Sequence, residues 1–149
     1  MSLLLPDEAA VRALGARLAA RLRAGDVITL SGDLGAGKTT LARGILEGLG
    51  QQGDIPSPTF NIVQTYAPPE LSLPVWHVDL YRLSDPQEIH ELGLGEALAD
   101  GALLIEWPDR LGGLFADRAL ALHLEDAGEK GRRLTASVPP AWEGRWPLP

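Results

Sequence analysis

The segment Gly32-Asp33-Leu34-Gly35-Ala36-Gly37-Lys38-Thr39 constrains this chain more than any other. It matches G-x-x-x-x-G-K-[ST] at every defined position. Glycines there let the backbone turn so that successive N–H groups converge on an anion. Such a loop needs a buried strand before it and a helix after it, because the helix N-terminus brings a positive dipole end beneath the phosphates. Both flanks are present. Val27-Ile28-Thr29-Leu30 is a short apolar run of the kind that forms a buried strand, and residues 38–49 read as a helix closed by Gly50. The expected ligand is a nucleoside triphosphate with Mg²⁺. Asp33, Leu34, Gly35, Ala36, Gly37, Lys38, Thr39 and Thr40 are its expected cradle, with Lys38 on the β- and γ-phosphates and the Thr39 hydroxyl on the metal.

The rest of the chain supplies the elements such a loop requires. After Asp7, an N-cap, apolar residues fall at Val11, Leu14, Leu18 and Leu22, and Gly25 follows as a stop. Residues 51–59 are polar with two prolines and read as a loop. Residues 60–66 and 75–80 read as strands, separated by Pro68-Pro69. Ser84 with Gln87 forms a capping box, which predicts a helix from Ser84 to about Leu98. Leu103-Leu104-Ile105 is a further buried strand, residues 119–124 and 133–138 form a closing hairpin, and the tail from Pro139 is irregular. Strands alternate with helices early and a hairpin comes late. The expected fold is α/β and P-loop NTPase-like, a mixed central sheet flanked by helices on both faces, with a C-terminal β-hairpin. With no repeat and no dividing linker, residues 1–149 are expected to form a single domain.

Charge narrows the functional classes. The balance of 13 basic and 20 acidic residues gives a net charge of −7, which disfavours unaided binding to RNA or DNA. The absence of cysteine removes disulfides and thiolate metal sites. The start lacks a basic n-region, and no run approaches the roughly 18 apolar residues of a membrane span, so the expected location is cytoplasmic. Glu88-Ile89-His90-Glu91 lacks a second histidine at helical spacing and is not read as a metal site. His90, His123 and Trp142 are read as structural.

A phosphate loop also needs a carboxylate at the Mg²⁺ and a group that orients the attacking water. Asp79 stands near the end of the 75–80 strand, and Glu106 directly follows Leu103-Leu104-Ile105. Carboxyl ends of strands are where open α/β sheets bind ligands. The ordinary alternative for each is a capping or surface carboxylate. Pro56 and Pro58 stiffen a loop in which the Thr59 hydroxyl would suit ordering by a γ-phosphate. His77 either orients Asp79 or is simply a strand histidine; Tyr81 and Arg82 either pack or bind a partner, and Arg82 could also neutralise phosphate charge. No arginine is obviously placed as a finger within the chain.

Taken together, four blocks resemble the TsaE (YjeE) family of small bacterial P-loop ATPases needed for threonylcarbamoyladenosine formation in tRNA. They are residues 32–40, Ser57-Pro58-Thr59-Phe60, His77-Val78-Asp79-Leu80-Tyr81-Arg82, and Ile105-Glu106-Trp107-Pro108, in the expected order. No guanine-reading N-K-x-D appears and the residues themselves do not reveal a base preference, so ATP over GTP is what the resemblance implies. It implies Thr59 in a switch-like loop near the γ-phosphate, Asp79 at the Mg²⁺, Glu106 acting on the attacking water, with a place at the metal as well, and Trp107 close to the nucleotide. It further implies a partner complex of the TsaB–TsaD type, which the ATPase resets or activates. Two rivals stand beside it: a small-molecule kinase, weakened by the lack of an arginine-rich lid, and a nucleotide-dependent binding switch with incidental hydrolysis.

Overall fold

The computed structural model describes residues 2–32, 37–52, 55, 62–69, 71–83, 85–111 and 113–146. Its strands are β1 (Ser2–Leu5), β2 (Val27–Gly32), β3 (Val63–Tyr66), β4 (Val75–Asp79), β5 (Ala102–Glu106), β6 (Ala119–Asp126) and β7 (Arg132–Ser137). The α-helices are α1 (Glu8–Arg21), α2 (Lys38–Gly48) and α3 (Pro86–Glu91). All seven strands join one sheet in the order β1-β7-β6-β2-β5-β4-β3. The centre, β6-β2-β5-β4, is parallel, whereas β3 and the β7-β1 pair run antiparallel at the two edges. The mixed sheet expected from the element order is therefore present.

Side-chain alternation along the central strands divides the interior in two. Ile28, Leu30, Leu104, Leu120 and Leu122 point to the face covered by α1 and α2. Val27, Val78, Leu103 and Ile105 point to the other face, where Ile89 of α3 and Leu94 cover them. Strands buried on both sides explain why residues 27–30 and 103–105 read as unbroken apolar runs.

α1 starts where the sequence places it. Asp7 is extended and its Oδ1 accepts the Ala10 N–H at 2.8 Å, satisfying a donor that the first helical turn leaves open. Val11, Leu14 and Leu18 form its buried stripe. The helix ends at Arg21, ahead of the expected stop, and Gly25 (φ +91°) serves the turn into β2. α1 and α2 pack backbone to backbone: a Cβ on Gly15 would lie 2.7 Å from the Gly44 carbonyl carbon.

Three features depart from the sequence expectation. β1 is a strand the periodicity did not predict; a four-residue segment carries too little pattern, and it is held by pairing with β7 from Leu5↔Arg132 to Ser2↔Thr135. The helix expected from Ser84 to about Leu98 is two pieces, α3 and a 3₁₀ segment, Leu94–Ala99, broken by Gly93 in the left-handed region (φ +64°). Its cap is Asp85, whose Oδ1 accepts the Gln87 N–H at 2.9 Å; Ser84 lies outside the described residues. The C-terminal segment is irregular only in part: Pro140–Trp142 is a 3₁₀ segment, and Trp142 and Trp146 anchor the tail in the core. Among the described residues no helix is long and apolar enough to cross a membrane.

Candidate functional site

β2 ends at Gly32 and α2 begins at Lys38, so the glycine loop spans a strand end and a helix start. Asp33, Leu34, Gly35 and Ala36 lie outside the described residues, as does Thr59 with the whole Ser57-Pro58-Thr59-Phe60 block. The two glycines that frame the loop have distinct physical duties. Gly32 (φ +132°) runs so close to β6 that a Cβ would collide with the Leu124 carbonyl oxygen. Gly37 (φ +104°) makes the left-handed turn that starts α2.

β4 and β5 are parallel neighbours in the register Asp79↔Glu106, and Leu30↔Glu106 ties the same level to β2. Both carboxylates thus stand at the carboxyl ends of adjacent strands, beside the N-terminus of α2. A cavity of about 300 Å³ brings together Gly37, Lys38, Thr39, Thr40, Asp79, Glu106 and Trp107. Lys38, Asp79 and Glu106 expose only 4%, 6% and 3% of their surface, too little for ordinary surface charges.

Each polar group is tethered. Lys38 Nζ donates to the Gly32 carbonyl at 2.6 Å and sits 3.7 Å above the centroid of the Trp107 ring. That ring in turn meets Tyr81 at 4.8 Å between centroids. Trp107 occupies the left-handed region (φ +61°), a conformation costly for a bulky residue, and its N–H donates to the Leu30 carbonyl at 3.2 Å. Asp79 Oδ1 accepts the Tyr81 N–H at 2.9 Å. Glu106 Oε2 is 2.7 Å from His77 Nε2, and His77 is fully buried. Of the two readings of His77, orientation of Asp79 therefore fails: its polar partner is Glu106.

The cavity also has a wall that the sequence did not reveal. Pro6, Asp7 and Glu8 from the start of α1 and Gly131 and Arg132 from the start of β7 close the side away from the sheet centre. Arg132 pairs with Asp126 at 3.5 Å and its Nε lies 3.9 Å from where a Gly37 Cβ would stand. The Arg132-Arg133 pair is visible in the sequence, but the pairing of β6 with β2 at Gly32↔Leu124, with β7 beside β6 at Asp126↔Arg132, is what carries it to the glycine loop. Arg82 is exposed and is not among the residues lining the cavity. His90 and His123 are exposed, the latter 2.9 Å from Ser31 Oγ through its Nδ1, while Trp142 is in the core.

The donors suit a small hard cation. Thr39, Asp79 and Glu106 offer oxygen only, and no group of three or more His, Cys, Asp or Glu forms a dedicated cage among the described residues. Mg²⁺ is commonly held this way, by one or two carboxylates with substrate phosphates and waters.

A family model described as threonylcarbamoyl adenosine biosynthesis protein TsaE matches residues 5–134. The chain is 40% identical over 131 residues to the tRNA threonylcarbamoyladenosine biosynthesis protein TsaE of Rickettsia felis, covering 87% of this chain and 75% of that one. It is 50% identical over 98 residues to the TsaE of Streptomyces coelicolor, covering 65% and 66%. The crystal structure of Bacillus subtilis YdiB superposes with a TM-score of 0.81 at 31% identity, covering 97% of this chain and 90% of that one. The family match extends over all the motifs around the cavity and over most of the sheet that carries them, so this chain belongs to the TsaE family of threonylcarbamoyl adenosine biosynthesis proteins.

Proposed function

We propose that the chain, as one domain, binds ATP with Mg²⁺ at residues 32–40 and hydrolyses it to act on a partner complex of the TsaB–TsaD type in tRNA threonylcarbamoyladenosine formation. One observation carries this reading. A buried lysine, a helix N-terminus, a threonine hydroxyl and two buried carboxylates share one cavity at the carboxyl ends of parallel strands. That combination suits a phosphoanhydride better than any uncharged ligand.

In the reaction, water attacks the γ-phosphorus, the bond to the β,γ-bridging oxygen breaks, and ADP and phosphate leave. Lys38 gives its N–H groups to the β- and γ-phosphates in exchange for the Gly32 carbonyl and the Trp107 ring. Glu106 accepts a hydrogen bond from the attacking water. Thr39, Asp79 and Glu106 would hold Mg²⁺, which when bound neutralises phosphate charge. Thr59 is the hydroxyl the family resemblance brings to the γ-phosphate. Trp107 and Arg132 line the cavity that the nucleotide would occupy. After Thr40 the arginines stand singly except for Arg132-Arg133, so the sequence offers no arginine-rich lid, which favours hydrolysis over transfer to a small molecule.

The test is phosphate release by the full chain, alone and with the partner complex. Release should be slow alone and rise severalfold with partners. Lys38→Ala should weaken ATP about 10- to 100-fold, as expected for losing charge-assisted hydrogen bonds worth about 1.5–3 kcal/mol. Unaltered ATP affinity of that variant in calorimetry rules out this site.

A further inference from the structure

Two buried carboxylates on neighbouring strands at the same level repel each other, and something must separate their tasks. Asp79 is fixed through Oδ1 by the Tyr81 N–H. Glu106 is fixed through Oε2 by His77, which has no exposed surface and does not line the cavity. His77 Nδ1 is buried without a hydrogen-bond partner among the described residues. A proton on Nδ1 would bury an unsatisfied N–H and aim the Nε2 lone pair at a carboxylate oxygen. A proton on Nε2 satisfies Glu106 and leaves only a bare lone pair.

We propose that His77 is the positioning residue of Glu106: its Nε2–H holds Oε2 from behind the site, so that Oε1 is presented to the cavity. The inference rests on the reading of Glu106 as the group that orients the attacking water. It assigns the histidine a task in turnover with no contact to nucleotide. Without that hydrogen bond the glutamate side chain regains rotamers that take Oε1 away from the water, while the phosphate cradle stays intact.

Single-turnover phosphate release and ATP affinity of the full chain test this, using His77→Leu, His77→Gln and Glu106→Gln. His77→Leu should bind ATP within about twofold of the parent and release phosphate about 10- to 100-fold more slowly, the usual size of an outer-shell loss. Gln carries an amide nitrogen near the position of Nε2, so His77→Gln should recover most of the rate. The double variant His77→Leu/Glu106→Gln should be no slower than Glu106→Gln alone, because both changes act through one carboxylate. A folded His77→Leu at the parental rate, or losses that multiply in the double variant, overturns the proposal. If His77→Leu does not fold, His77→Asn decides: its shorter amide cannot reach Glu106, so parental turnover would overturn the proposal and a rate loss with parental ATP affinity would support it. If Glu106→Gln itself turns over normally, the hydrolytic reading of Glu106 fails instead, so the two failures are distinguishable.

Discussion

Lys38 carries its charge where almost no water reaches it, and what surrounds it explains how that is tolerated. The Gly32 carbonyl takes one N–H and the Trp107 face lies beneath the ammonium. Trp107 pays for its left-handed backbone through these contacts, through its N–H to Leu30 and through Tyr81. Beside it, Glu106 is held by one oxygen only. Glu106→Gln keeps the size and the His77 contact within reach while removing the negative charge. It should leave ATP affinity within a few-fold and slow release about 10²- to 10⁴-fold, the range for losing a general base. Rapid release by that variant, measured in single turnover, would exclude Glu106 from the chemistry.

At the scale of elements, the site depends on the exact seating of α2, and α2 is seated by α1. Gly15 and Gly44 let the two helix backbones meet, and Gly48 meets Ala16 and Ala19 in the same way. Gly15→Ala inserts a methyl 2.7 Å from backbone atoms of Gly44 and Ile45 that have no rotamer to give. The expected loss is about 1–3 kcal/mol, as for overpacking, against the few tenths to 1 kcal/mol that alanine gains in a helix. Urea unfolding measures it; a variant as stable as the parent would show that α1 and α2 can separate freely. The elements legible in the sequence are those with a strong local period. α1, α2, β2 and β5 have long apolar stripes or runs, and their neighbours follow from short loops. The 3₁₀ break at Gly93 and the shift of the cap from Ser84 to Asp85 were not legible. Two adjacent residues of equal capping ability differ only in which one precedes the proline that opens α3.

For the whole molecule, one buried ion pair joins chain segments far apart. Arg145 makes a bidentate pair with Asp26 at 2.7 and 2.9 Å, donates to the Arg21 and Ala141 carbonyls, and stacks 4.0 Å from the Trp142 centroid. It locks the C-terminal segment onto the turn between α1 and β2, beneath the strand that leads to the phosphate loop. Arg145→Ala leaves the Asp26 carboxylate buried with only the Arg23 N–H, and should cost about 3–5 kcal/mol in denaturant unfolding. A loss below about 0.5 kcal/mol would mean that water replaces the guanidinium.

The phosphate loop and the two strand-end carboxylates were readable from the sequence alone because each is a local fact. Steric freedom at glycine, the polarity of a helix start and an acidic residue after an apolar run all lie within a few neighbouring residues. What only the tertiary structure decided is which side chains meet. Register between β4 and β5 joins His77 to Glu106, and the pairing of β6 with β2, carrying β7 beside it, brings Arg132 to the wall of the cavity. Those contacts follow from strand pairing between segments far apart in the chain, and the apolar pattern of a segment does not name the strand it pairs with.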